Sequence, residues 1–258
     1  MTDAVRAERT AATYENFIAG CPSCGATNIF NRVSDLHTLR PIDFRQVTCQ
    51  RCDQSFSIGG DCINVAHEML LFECHEFIQG KRYMQCVLSV AQAYEVFFSH
   101  FMYVQLLFRA FAKDESRDLP RLNRLIRLLY QRMKGLTFEP MRRLVLRMIV
   151  DGVAPPSLAA AESVILGIPS EAGATRSVTR AEIDQISDRR LNALLVKLLR
   201  ADVNTIRNRV IHKDAYRPKE AEARRVYREA REVLFGLTGR LHLGFGFEWY
   251  VNQRAAKR

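Results

Sequence analysis

Arg207-Asn208-Arg209-Val210-Ile211-His212 puts a fixed cation, an amide and a proton-exchanging imidazole into one short stretch. A guanidinium offers a planar fork of donors that matches phosphate oxygens. An imidazole titrates near neutrality and can act as acid or base. Arg207, Asn208 and His212 are therefore a set able to break a phosphodiester, provided the tertiary structure brings them together. A second constellation is Cys21-Pro-Ser-Cys24 with Cys49-Gln-Arg-Cys52. Each CxxC pair can supply one thiolate edge of a tetrahedron, so Cys21, Cys24, Cys49 and Cys52 predict a closed zinc site. Such a site has no open coordination position, so the zinc is expected to be structural. The module around it reads either as a staple on the rest of the chain or as a nucleic-acid contact through Arg32, His37, Arg40, Arg45 and Arg51.

Several familiar sites are excluded by their spacing. His67-Glu68 begins an HExxH pattern, but Leu71 stands where the second histidine is required. No glycine-rich loop runs into Lys-Ser or Lys-Thr, which removes a P-loop nucleotidase. No serine sits in a nucleophile elbow. His67, His75 and His100 lie in apolar helical stretches and read as core histidines. Cys62, Cys74 and Cys86 read as small core residues.

The 258 residues suffice for a main domain and a small accessory module. A formal charge of +10 favours an anionic partner, with nucleic acid the first choice. Much of that charge is concentrated. Residues 117–147 hold nine basic residues against two acidic ones, a local +7. Arg121, Arg124 and Arg127 recur at three-residue spacing, and Arg142 and Arg143 follow. These five, with Lys213 beside the motif, are the candidate RNA-backbone contacts, and such contacts are salt-sensitive and blind to sequence. No apolar leader opens the chain, and seven cysteines then imply reduced thiols and a cytoplasmic setting. The greasiest stretch, about 87–111, carries Gln92, Glu95, His100, Gln105 and Arg109, so it reads as a core helix and not a membrane span.

The elements that must position these groups fall into zones. Residues 1–20 predict a short polar helix or arm, 21–60 a β-rich ribbon, 61–240 a helical domain and 241–258 a basic tail. The fold class is mainly α, with a small β module in front. Helices are expected near 62–79, 82–112, 120–134, 139–151, 157–166, 179–212 and 218–240. Gly80 and Gly135 are expected to end the first and third. Thr179 with Glu182 forms a capping box for the long 179–212 helix. Pro218 opens the last helix, with Glu220 and Glu222 against its dipole.

The helix-terminal RNRVIH, Glu95 within QCVLSVAQAYEVFFSHFMYVQLLF, and the closing KEAEARRVYREAREVLFGL together resemble the HEPN superfamily. Its members are compact helical bundles, many of them metal-independent ribonucleases in toxin–antitoxin, phage-defence and CRISPR systems. The family motif is Arg, often followed by a polar residue, with four to six residues before His. Here four intervene. The resemblance spans roughly 61–240 in architecture and is specific only at the motif and Glu95. The zinc ribbon and the basic segment lie outside the family core. The resemblance implies a homodimer, because one motif brings one histidine while cleavage by a ribose 2′-hydroxyl needs a base and an acid. It also implies an antitoxin or defence-system partner, and Glu95 pairing with Arg207 or His212 to fix its orientation.

On an ideal helix Asn208 and His212 share a face, whereas Arg207 and His212 differ by about 140°. Convergence then needs unwinding near His212 or a second copy of the chain. Two further classes stay open: a non-catalytic zinc-ribbon module that binds nucleic acid or nucleotide, and an interaction scaffold.

Overall fold

A computed structural model describes residues 16–31, 34–37, 45–58, 66–114, 116, 118–169, 175–212 and 216–243. The chain is mainly α with a small β module, as its pattern predicts. Four short strands, β1 (Asn16–Gly20), β2 (Thr27–Asn31), β3 (Arg45–Thr48) and β4 (Ser55–Ile58), form two antiparallel hairpins. β1 pairs with β2 from Asn16 opposite Asn31 to Gly20 opposite Thr27. Arg45 lies opposite Ile58 in the second hairpin. Phe30, Leu36, Val47, Phe56 and Ile58 close a small core of their own with Cys21 and Cys49. Residues 16–20 are thus a strand where a short polar helix or arm is expected. Their partner across the knuckle turn decides this, not their local composition.

Ten α-helices follow among the described residues: α1 (Ala66–Gln79), α2 (Tyr83–Met102), α3 (Arg109–Lys113), α4 (Leu119–Met133), α5 (Phe138–Val150), α6 (Leu158–Leu166), α7 (Arg180–Asp184), α8 (Arg189–Arg200), α9 (Val203–His212) and α10 (Glu220–Arg240). α2 is the central rod. Its Val87, Val90, Tyr94, Phe97, Phe98 and Phe101 are fully covered, and α1, α5, α9 and α10 pack around it. Gln85 and Gln92 are exposed and Glu95 and Ser99 half-buried, so they mark the one side of the rod that its neighbours leave uncovered. A π-helical turn, Tyr103–Phe108, joins it to α3 and lies against α4 and α6.

The first helix ends at Gln79 before Gly80 as expected, whereas the 179–212 helix does not run as expected. Beyond Gly80, Lys81 takes the left-handed region (φ 55°), which lets the Arg82 amide donate back to the Phe77 carbonyl at 2.7 Å. The expected 179–212 helix is three helices. The Thr179–Glu182 capping box is present, but it opens only the five-residue α7. Asp188 then caps α8, its carboxylate accepting from the amides of Arg190 (2.9 Å) and Leu191 (3.1 Å). The second break, at Ala201-Asp202, is tertiary. Arg142 donates to the Ala201 carbonyl at 2.7 Å, and Arg225 grips the Asp202 carboxylate at 2.8 and 3.0 Å.

His67 is fully buried in the core, its Nε2 3.0 Å from the Thr238 hydroxyl and its ring edge-on to Phe97. Burial, and secondarily the nearby His100 ring, pull its pKa down to about 3. His67 therefore folds neutral, while in the unfolded chain it takes up a proton near pH 6.5. Stability from this group is complete above that pH and is lost as pH falls toward 3. Acid unfolding of His67→Gln, followed by circular dichroism, should lose less stability between pH 6.5 and 4 than the parent. The difference is expected to reach several kcal/mol at the acid end.

Candidate active site and metal centre

The RNRVIH residues form the second half of α9. Val203 and Ile206 are buried and seat this helix on α2, which leaves the following turns at the surface. Arg207 is half-buried, and Asn208 and His212 are exposed. Arg207 Nη1 donates to Asn208 Oδ1 at 3.3 Å, so the guanidinium and the amide already lie side by side. α9 stays helical through His212. The unwinding that would swing His212 toward Arg207 within one chain is not made there, so the two keep their helical separation of about 140°. Glu95 is half-buried on α2, and its backbone carbonyl accepts from the Ser99 hydroxyl at 3.1 Å. Among the described residues its carboxylate makes no ion pair, so the expected pairing with Arg207 or His212 is not formed within the chain. Partial exposure removes the energetic demand for such a partner, because water solvates the charge. Lys213 lies outside the described residues.

Arg209, inside the motif, has a role that the motif pattern does not signal. Its guanidinium lies over the Tyr216 ring at 3.7 Å and reaches Glu222 at 3.8 Å. Tyr216 in turn donates its hydroxyl to Glu222 at 2.5 Å, a bond that raises the phenol pKa. This clamp ties the chain after the motif to the first turn of α10. Ile211, 48% exposed, stands next to His212.

The basic segment is less free than its charge suggests. Arg121 and Arg124 both reach Glu162 on α6, at 2.8 and 3.4 Å. Arg142 is turned inward: it pairs with Glu139 at 2.7 Å, lies over the Phe138 ring and caps the carbonyl end of α8. Arg127 is exposed and Arg143 half-buried, and neither has an ion-pair partner among the described residues. The five candidate backbone contacts therefore divide. On the expectation of an RNA partner, Arg127→Ala should weaken its binding uniformly across sequences and reduce the salt slope by about 1. Arg142→Ala should instead destabilise the fold by about 1–3 kcal/mol, since two carbonyls and a carboxylate lose their donor. Salt-titrated binding and thermal melting of the two variants separate these roles.

The four knuckle cysteines converge. Their sulfurs all lie within 4.8 Å of one another, with Cys21–Cys52 at 3.7 Å and Cys24–Cys49 at 3.8 Å. Sulfurs at about 2.3 Å from a shared tetrahedral ion would stand about 3.8 Å apart, as the Cys21–Cys52 and Cys24–Cys49 pairs do, so the group is compatible with a metal site. Two matching turns build it. The Gly25 amide donates to the Cys21 carbonyl (2.9 Å) and the Asp53 amide to the Cys49 carbonyl (3.1 Å), and both residues adopt positive φ. Asn28 joins the hairpins, its Oδ1 accepting from the Gln50 amide at 2.7 Å. The Arg51 amide, donating to Cys49 Sγ at 3.4 Å, is the main cause holding that thiol down to about 6. A sulfur so placed is readily a thiolate, the form that binds metal. Cys74 and Cys86 are buried in the helical core, away from this group, and Cys62 lies outside the described residues. Of the basic residues on this module, Arg51 is exposed, Arg45 half-buried and His37 exposed at positive φ, while Arg32 and Arg40 lie outside the described residues.

Compared with known proteins, the chain matches no family model, no curated protein and no solved structure. No described helix is long and apolar enough to cross a membrane.

Proposed function

We propose that this chain is a metal-independent endoribonuclease whose active site combines the Arg207, Asn208 and His212 groups of two copies. The observation that carries the reading is the hydrogen-bonded Arg207–Asn208 pair on a solvent-facing helix end, one turn from an exposed His212. The chain's +10 charge supports an RNA substrate. In this reading one His212 takes the proton of the ribose 2′-hydroxyl, the O2′–P bond forms and the P–O5′ bond breaks. The second copy's His212 gives a proton to the departing O5′. Arg207 stabilises the charge on the phosphorane-like transition state and Asn208 fixes its fork. The product ends in a 2′,3′-cyclic phosphate. A dimer is required because Arg207 and His212 point to different sides of one α9, and the exposed Ile211 beside His212 suits contact with a second copy. In the same reading the four-cysteine group holds zinc, which stabilises the hairpins and takes no part in the chemistry.

Labelled RNA incubated with a sample of two-chain mass in excess EDTA tests this reading. Cleavage should occur with the parent and be lost in His212→Ala and Arg207→Ala, with circular dichroism confirming that the helices persist. Binding without cleavage in the parent would point instead to a nucleic-acid-binding module.

A further inference from the structure

Between α2, α8 and α10 the surface opens into a cleft of about 610 Å³ that none of Arg207, Asn208 and His212 lines. That volume suits a small organic ligand. At its floor lies Tyr94, only 1% exposed, its ring set against Phe98 and Phe138 at 6.1 and 5.7 Å between centroids. Packed there, the phenol cannot swing away, yet its hydroxyl makes no hydrogen bond with any described residue. The hydroxyl is not sealed among the buried unpartnered polar atoms of the core, and Tyr94 lines the cleft, so a ligand atom there can accept from it in place of water. Burial, and then the Glu229 carboxylate, push this phenol's pKa up, so it stays a neutral donor at physiological pH.

The walls have a definite chemistry. Val196 gives an apolar side. Asp202 and Glu229 present carboxylates held in place by Arg225, at 2.8 and 3.2 Å. Four cations and two carboxylates line the cleft, a net +2. Arg225 engages both carboxylates, and Lys197 and Arg180 are tethered to Glu232 and Asp184 outside it. Arg200, exposed on the last turn of α8, has no acidic partner among the described residues. The cleft therefore joins an uncommitted guanidinium at its mouth to hydrogen-bond acceptors and one buried donor inside.

We propose that this cleft binds a small organic phosphate of the nucleoside monophosphate class, its phosphate on Arg200 and its polar edge on the Tyr94 hydroxyl. The body lies along Val196. Its hydroxyl or amino groups donate to Asp202 and Glu229, which an inorganic anion could not use. Binding here does not depend on the ribonuclease reading and can hold or fail apart from it.

Isothermal titration of the full chain with adenosine monophosphate, and separately with inorganic phosphate, tests the assignment. Adenosine monophosphate should bind one per chain and at least about tenfold more tightly than phosphate. Arg200→Ala should weaken it about tenfold or more, as loss of a charge-assisted contact implies. Tyr94→Phe should weaken it about fivefold with no loss of thermal stability, since only the unpartnered oxygen is removed. His212→Ala should bind like the parent. The assignment is overturned by no binding at millimolar ligand, by phosphate binding as tightly as the nucleotide, or by unchanged affinity in Arg200→Ala. Weakened binding in His212→Ala would place the ligand on the motif and overturn it equally. Arg200 is a surface side chain, so that variant remains informative even if Tyr94→Phe folds poorly.

Discussion

Replacing His212 by alanine should reduce RNA cleavage by about 10²–10⁴-fold near neutral pH, with little change in stability. The rate term is what a positioned acid or base contributes to proton transfer. Stability should move by no more than about 0.5 kcal/mol, because the side chain is exposed at the end of α9 and makes no described hydrogen bond. Arg207→Ala should cost about 10²–10³-fold through lost stabilisation of the transition-state charge. Arg207→Lys should recover only part of this, since an ammonium cannot reproduce the guanidinium fork that also reaches Asn208 Oδ1. The double variant should be scarcely worse than His212→Ala, because groups that act on one transition state are not additive. Single-turnover cleavage with equal RNA binding across the series is the expected pattern. Equal rates in parent and variants would remove the motif from the chemistry.

The second large effect concerns the four sulfurs. The core of the β module contains five apolar side chains besides the two cysteines, too few to hold two hairpins without a staple. A structural zinc site contributes about 10–16 kcal/mol of apparent binding energy, so chelation should unfold this module outright. The helical core is a separate cluster and should persist. Limited proteolysis after metal removal should therefore cut within residues 16–58 and spare α1 to α10. Cys49→Ser should behave like the chelated parent. One zinc per chain is the expected stoichiometry by elemental analysis. Protons compete with metal for the sulfurs, so loading should decline on acidification. Helices that melt together with the hairpins on chelation would show that the two cores depend on each other.

The parts legible in the sequence were those fixed locally. The four cysteines were readable because coordination imposes a spacing. The 120–134 and 157–166 helices emerge within a residue of expectation, because Asp118 with Pro120 and Ser157 mark their starts. What escaped was set by distant partners. The break at Ala201-Asp202 depends on Arg142 and Arg225, contributed by helices about 60 residues upstream and 23 downstream. A charged residue read as an RNA contact, Arg142, proves to be a helix cap, which charge counting cannot distinguish. The strand character of Asn16–Gly20 comes from Thr27–Asn31 across the turn. The Arg209–Tyr216–Glu222 clamp joins residues without any recurring spacing, so the sequence carries no sign of it. For the motif, its position at a helix end was legible. So was the angle of about 140° between Arg207 and His212, because α9 runs unbroken through His212; that the helix would not unwind there was not legible.

The chemistry of the cut ends tests the central claim most directly. RNA cleaved by the parent dimer in excess EDTA should carry 2′,3′-cyclic phosphate at the upstream fragment and a free 5′-hydroxyl at the downstream one, and neither should form with His212→Ala. Fragments ending in a 3′-hydroxyl with a 5′-phosphate would contradict it, because water and not the neighbouring ribose oxygen would then have attacked the phosphorus.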